Sequence, residues 1–153
     1  MDPIKKIIIG SDHAVFALKE KVAAYLANSG IKVEDAGTYS DERCDYPEFA
    51  YKVAAAVSGG RFKRGILICY TGIGNSIVAN KLYGVRAALC YNVKAAELSR
   101  RHNDSNVLVL GSLFVKEEAA KKIIDIWLNT GFEAGRHRRR LNILKKIERF
   151  KKI

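Results

Sequence analysis

The feature that most constrains this chain is an alternation of short β-branched or apolar runs with stretches of helical periodicity. Ile4 to Ile9, Ile31 to Glu34, Gly65 to Cys69, Arg86 to Cys90 and Asn106 to Leu110 read as strands, since each is a brief apolar run bounded by turn residues. Val15 to Asn28, Pro47 to Val57, Ser76 to Leu82, Val93 to Arg101 and Lys116 to Leu128 read as the helices between and after them. A helix between successive strands carries the chain back, so the strands pair parallel. The expectation is an α/β fold: a doubly wound five-stranded parallel sheet, a Rossmann-like αβα sandwich with right-handed crossovers. At 153 residues, the whole of 1–153 has the length of a single domain. Gly131 to Gly135 is the one plausible joint, before a basic C-terminal helix.

Charge is concentrated at that end. From Arg136 to Ile153 nine basic residues face Glu148 alone, contributing +8 of the total +11. Ile143, Leu144, Ile147 and Phe150 recur there at helical spacing, so residues 131–153 are expected to pack an apolar stripe on a partner subunit rather than to grip nucleic acid. No apolar run is long enough to span a bilayer and no leader opens the chain, so a soluble, cytoplasmic protein is expected. Cys44, Cys69 and Cys90 have neither CxxC spacing nor a histidine cluster, which points to free thiols and no zinc.

Ligands of doubly wound sheets bind beyond the carboxyl ends of the strands. Two segments meet that condition: Gly10-Ser11-Asp12-His13 after the first strand and Cys69-Tyr70-Thr71-Gly72-Ile73-Gly74 after the third. The second matches neither GxGxxG nor a P-loop, which argues against NAD and ATP. Its glycines serve either a tight turn or a cradle of N–H groups for an anion or oxyanion. Cys69 is either inert packing or a base, since a helix N-terminus favours the thiolate; Cys44 and Cys90 lack such a loop and read as structural. Thr71 either donates to the same oxygens or pins the turn. Asp12 and His13 either cap a helix or face the crevice, His13 toward an anion and Asp12 toward a hydroxyl. Asp45-Tyr46-Pro47-Glu48 reads as a capping box. His102 and Asn103 precede the fifth strand and so belong to the opposite, amino edge. A five-residue strand is about 17 Å long, so His102 is either a structural loop residue or reaches the Cys69 loop of a second subunit. Arg136 and Arg140 follow a helix back to the amino edge, and their i,i+4 spacing would let both grip one phosphate.

Taken in order, these segments resemble the family of type B ribose-5-phosphate isomerases and galactose-6-phosphate isomerases. The matching stretches are Ser11-Asp12-His13, Asp45-Tyr46-Pro47, Gly65 to Cys69 with Thr71 to Gly74, Ala79-Asn80-Lys81, Gly84-Val85-Arg86, Ser99 to Asp104, and Gly135-Arg136-His137 with Arg140. The resemblance implies an aldose-ketose isomerase of the pentose phosphate pathway that interconverts ribose 5-phosphate and ribulose 5-phosphate through an enediolate. It implies Cys69 as the base, His102 as the acid/base that opens the sugar ring, and Asp12 and His13 as substrate ligands. Tyr70, Thr71, Gly72, Ile73 and Gly74 would hold the enediolate oxygens, and Asn103, Arg136 and Arg140 would complete the site. It also implies a homodimer, or a dimer of dimers, with shared sites and neither metal nor organic cofactor. Two positions depart from the family pattern. Tyr70 stands where relatives generally have Gly, and Leu113 where many have an arginine that adds to phosphate binding. The alternatives are therefore a six-carbon substrate such as allose or galactose 6-phosphate, or a catalytically silent sugar-phosphate binding homologue.

Overall fold

The computed structural model describes residues 3–150; of the basic segment expected to run to Ile153, residues 151–153 lie outside the described residues. Among the described residues the sheet has five parallel strands in the order β2-β1-β3-β5-β4: β1 Lys6–Ser11, β2 Lys32–Asp35, β3 Gly65–Cys69, β4 Ala87–Leu89 and β5 Val107–Gly111. The helices are α1 Phe16–Asn28, α2 Tyr46–Ser58, α3 Ile73–Ala79, α4 Val93–Asn103, α5 Glu117–Asn129 and α6 Gly135–Phe150, with a 3-10 turn His13–Val15 ahead of α1.

Period-two alternation in the central strands builds the two cores. Ile7, Ile9, Ile66, Ile68, Leu108 and Leu110 face one way, with Val22 and Leu26 of α1 and Ile123, Ile124 and Trp127 of α5. Ile8, Leu67, Val107 and Val109 face the other way, with Ala50, Val53 and Val57 of α2 and Ala79 of α3. β1, β3 and β5 are buried on both sides, which is why they read as unbroken apolar runs.

Several boundaries differ from the sequence expectation. β1 runs two residues further, so Gly10 and Ser11 are paired rather than looped; Ser11 stands opposite Ile68 of β3. α3 starts at Ile73, not Ser76, which makes Ile73 and Gly74 its first turn. α4 continues through His102 and Asn103 and ends at Asp104, whose left-handed φ of 47° caps it. The capping box at Asp45 is not formed. The Asp45 side chain makes no cap bond, and its backbone oxygen instead accepts from the Glu48 N–H at 3.3 Å.

The strand order sets β1 and β3 side by side while their chains leave toward opposite faces, α1 on one and α3 on the other. The crevice opens between those two carboxyl ends. α6 is tied mainly to α4. Its Ile143, Leu144, Ile147 and Phe150 are exposed.

Candidate active site

Cys69 closes β3, and the sheet register aligns it with Gly111 of β5. Its side chain is buried, with Sγ 4.0 Å from Asp12 Oδ2. The other oxygen of Asp12 accepts from the Ala14 N–H at 3.0 Å. Asp12 thus caps the 3-10 turn and faces the thiol at once, so its two readings are not exclusive. His13 accepts the Cys44 N–H on Nδ1 at 3.2 Å, with the Cys44 sulfur 3.7 Å from the same nitrogen. That bond leaves the proton of the neutral ring on Nε2, available to an anion. Sequence reasoning set Cys44 aside as structural; what it does is orient His13.

The 70–74 segment is a cradle by construction. Gly72 takes φ 83° as the N-cap of α3. A Cβ at Gly111 would sit 2.2 Å from the Thr71 carbonyl oxygen, so only glycine in β5 lets the loop lie across the strand end. Thr71 Oγ1 accepts from the Ile73 N–H at 3.3 Å, and the Thr71 carbonyl accepts from Tyr91 Oη at 3.1 Å. The turn-pinning reading of Thr71 therefore holds, and its hydroxyl proton is still free to donate. Among the described residues the N–H groups of Thr71, Gly72 and Gly74 donate to no protein acceptor. Two further residues stand here that periodicity did not single out. Tyr91 packs against Phe114 with ring centroids 4.6 Å apart and planes tilted by 42°. Asn75, in the first turn of α3, is buried with an unpartnered Oδ1. Tyr70 and Leu113 are exposed and line a cavity of about 530 Å³ with Ala14, Leu18 and Lys116.

Burial in the core pushes the Cys90 thiol up to about 11, which keeps it protonated and inert.

His102, Asn103, Arg136 and Arg140 lie at the other edge of the sheet. Val107 of β5 pairs with Gly65 at the start of β3, four residue steps before Gly111 and Cys69, so the two edges stand about 13 Å apart. Cys69 and His102 of one chain are not brought together. The α4 end that carries His102 and Asn103 is rigidly held: Arg86 donates to the carbonyls of Asn103 and Asp104 at 3.0 Å each and to the Asp104 carboxylate at 3.1 Å. Buried Arg100 reaches the same carboxylate at 2.8 Å. His102 stacks on His137 with centroids 4.2 Å apart and planes 9° from parallel. Glu133 Oε2 lies 3.8 Å from His102 Nε2 and 3.5 Å from His137 Nε2.

His102, Glu133 and His137 make a possible metal-ligand set, their donor atoms lying within 4.8 Å of one another. The charges around them favour an anion instead. Arg101 already binds Glu133 and holds its carboxyl below the usual range. Desolvation, then His102 and Arg136, keep His137 below the usual imidazole value. Arg136 Nε is 3.5 Å from His137 Nε2. Arg136 and Arg140 are both exposed on α6. Glu133 and His137 are the residues the sequence reading left out at this edge, although Gly135-Arg136-His137 was among its motifs.

The sequence profile of the Ribose/Galactose Isomerase family matches residues 7–144. The chain belongs to that family. Ribose-5-phosphate isomerase B of Escherichia coli (strain K12) is 50% identical over 145 residues, covering 95% of this chain and 97% of its own. The solved ribose-5-phosphate isomerase B of Clostridium thermocellum superposes with a TM-score of 0.92 at 48% identity, over 94% of this chain and 97% of that one. That of Mycoplasma genitalium, solved with bound ribulose-5-phosphate, gives 0.90 at 42% identity over 94% and 96%. This member of the family keeps Asp12, His13, Cys69, Thr71 and Gly72 together at the carboxyl edge, and His102, Asn103, Arg136 and Arg140 at the amino edge.

Proposed function

We propose that this chain is an aldose-ketose isomerase that interconverts ribose 5-phosphate and ribulose 5-phosphate, with Cys69 as the base. The observation that carries the reading is the Cys69 sulfur at the end of β3, 4.0 Å from Asp12 and beside the uncommitted N–H groups of Thr71, Gly72 and Gly74. Loss of a proton from carbon next to a carbonyl creates an enediolate, so a base must act beside donors already aimed at the new charge. In the opened aldose the Cys69 thiolate takes the C2 proton and later returns it to C1. The hydroxyl proton moves from O2 to O1, and the N–H groups of Thr71, Gly72 and Gly74 with the Thr71 hydroxyl hold both oxygens. Asp12 binds a sugar hydroxyl, and His13 donates through Nε2 to the anionic end.

Ring opening needs a proton removed from the C1 hydroxyl and one delivered to the ring oxygen, the task we assign to His102. Since the edges of one chain stand about 13 Å apart, that histidine comes from a second subunit, with Asn103, Arg136 and Arg140 beside it. The exposed stripe Ile143, Leu144, Ile147 and Phe150 supports a homodimer. So does the apolar cleft of about 460 Å³ between Leu141, Leu144 and Ile147 of α6 and Ala87 and Ala88 of the edge strand β4. On this reading the described residues form one domain whose segment 131–150 lies on its partner. No helix among the described residues is long and apolar enough to cross a membrane, and a cytoplasmic setting fits three free cysteines.

Tyr70 and Leu113 line the cavity beside the cradle, so sugar length is the open variable of this site. The test is to incubate purified protein with ribose 5-phosphate, without added metal, alongside allose 6-phosphate and galactose 6-phosphate. Formation of ribulose 5-phosphate at the highest kcat/KM is expected. Faster turnover of a six-carbon sugar would move the assignment, and ligand-induced stabilisation with no exchange of the C2 proton in deuterated water would make the chain a silent binder.

A further inference from the structure

Lys19 is fully buried, which lysine almost never is unless paired. It also lies in the first turn of α1, where the helix dipole disfavours a cation. A residue that breaks two local rules points to something other than helix formation. Its Nζ lies 2.5 Å from Asp35 Oδ2 and 2.5 Å from the Thr38 carbonyl oxygen, with Glu20 at 3.4 Å. Asp35 Oδ1 accepts the Gly37 N–H at 2.8 Å. The turn 35–38 therefore hangs on Lys19 from both ends.

That turn extends the sheet ladder past the end of β2, directly beside the site. The Ala36 N–H donates to Ile9 O, the Ser11 N–H donates to Gly37 O, and the Thr38 N–H donates to Ser11 O, each at 2.8 Å. Ser11 is thereby fixed on one side by the turn and on the other by β3, opposite Ile68. The next two residues are Asp12, facing the Cys69 sulfur, and His13. We propose that Lys19 is a positioning residue that sets Asp12 and His13 for substrate through the 35–38 turn; this deepens the isomerase reading and rests on it. Lys19 touches no substrate. Its loss loosens ligands that act equally on ground and transition states, so KM rises while kcat holds.

The variants are Lys19→Met with Asp35→Asn, which removes the charge pair without stranding a buried carboxylate, and Lys19→Gln with Asp35→Asn, which restores one donor for Thr38. Thermal melts establish folding, and steady-state kinetics use ribose 5-phosphate. The Met pair should raise KM about tenfold with kcat within about threefold, and the Gln pair should recover part of the loss. Unchanged KM in the folded Met pair, a fall in kcat alone, or loss of the fold in both variants would each overturn the assignment. An inactive wild type would instead condemn the isomerase reading, so the two failures are distinguishable.

Discussion

The two edges of this sheet are built on opposite principles. At the carboxyl edge the groups are buried and mostly main chain: a cysteine at a strand end, a facing carboxylate and uncommitted N–H groups from a glycine turn. At the amino edge they are cationic or polar side chains, the stacked pair His102–His137 with Glu133, Arg101, Arg136 and Arg140. In the mechanism proposed above, one edge supplies the base and the donors for a new negative charge, and the other supplies cations for an existing one. In one chain the two edges lie at opposite ends of the strands, so on that mechanism neither performs the whole reaction. Under the proposed mechanism, that difference makes a pair of chains the catalytic unit, with precision supplied by backbone on one side and charge by side chains on the other.

Replacing Cys69 by Ala should hit the carboxyl edge hardest, lowering kcat about 10²- to 10⁴-fold with the melting temperature nearly unchanged. Full activity in that variant would remove the assigned base. Arg140→Ala should act through binding, raising KM roughly 10- to 100-fold as one charge-assisted contact to phosphate is lost. A pure kcat effect would break the contrast between the edges.

A pH experiment sharpens it further. The folded protein holds His137 below its ordinary value, so between the unfolded and folded values the unfolded chain binds more protons. Stability is therefore full above about pH 6.5 and falls as the pH drops below it. Glu133, also held low, adds a loss further down as pH falls through its folded value. The melting temperature should drop between pH 7.5 and 5.5, and His137→Asn should flatten that drop. The smallest effect is expected at Cys90, whose thiol is pushed up to about 11. Iodoacetamide at pH 8 should modify it far more slowly than Cys69 by peptide mass spectrometry, and Cys90→Ala should leave turnover unchanged.

Much of this division was readable in the residues. Gly65–Cys69 appears with its boundaries intact because a strand buried on both faces must be an unbroken apolar run. The assignment of His102 to the amino edge followed from chain order alone. What escaped were features set by distant contacts. Gly72-Ile73-Gly74 reads as loop because glycine is a poor helix former, yet a left-handed Gly72 starts α3 there. Asp104 ends α4 two residues later than periodicity suggests, through a left-handed cap held by Arg86 and Arg100. Lys19 shares a helix face with Val15, Val22 and Leu26, so a helical wheel puts it among apolar residues and leaves its charge unexplained; its partners arrive from Asp35 and Thr38. Cys44 touches His13 across 31 positions, a separation that no local pattern reports.

The pairing of edges is tested most directly by mixing two crippled chains. Cys69→Ala and His102→Asn, each inactive alone, should be co-expressed with different tags and the mixed dimer purified. A composite site predicts that activity returns to a substantial fraction of wild type, since one site of each mixed dimer is built from two intact halves. A mixed dimer as dead as its parents would contradict it.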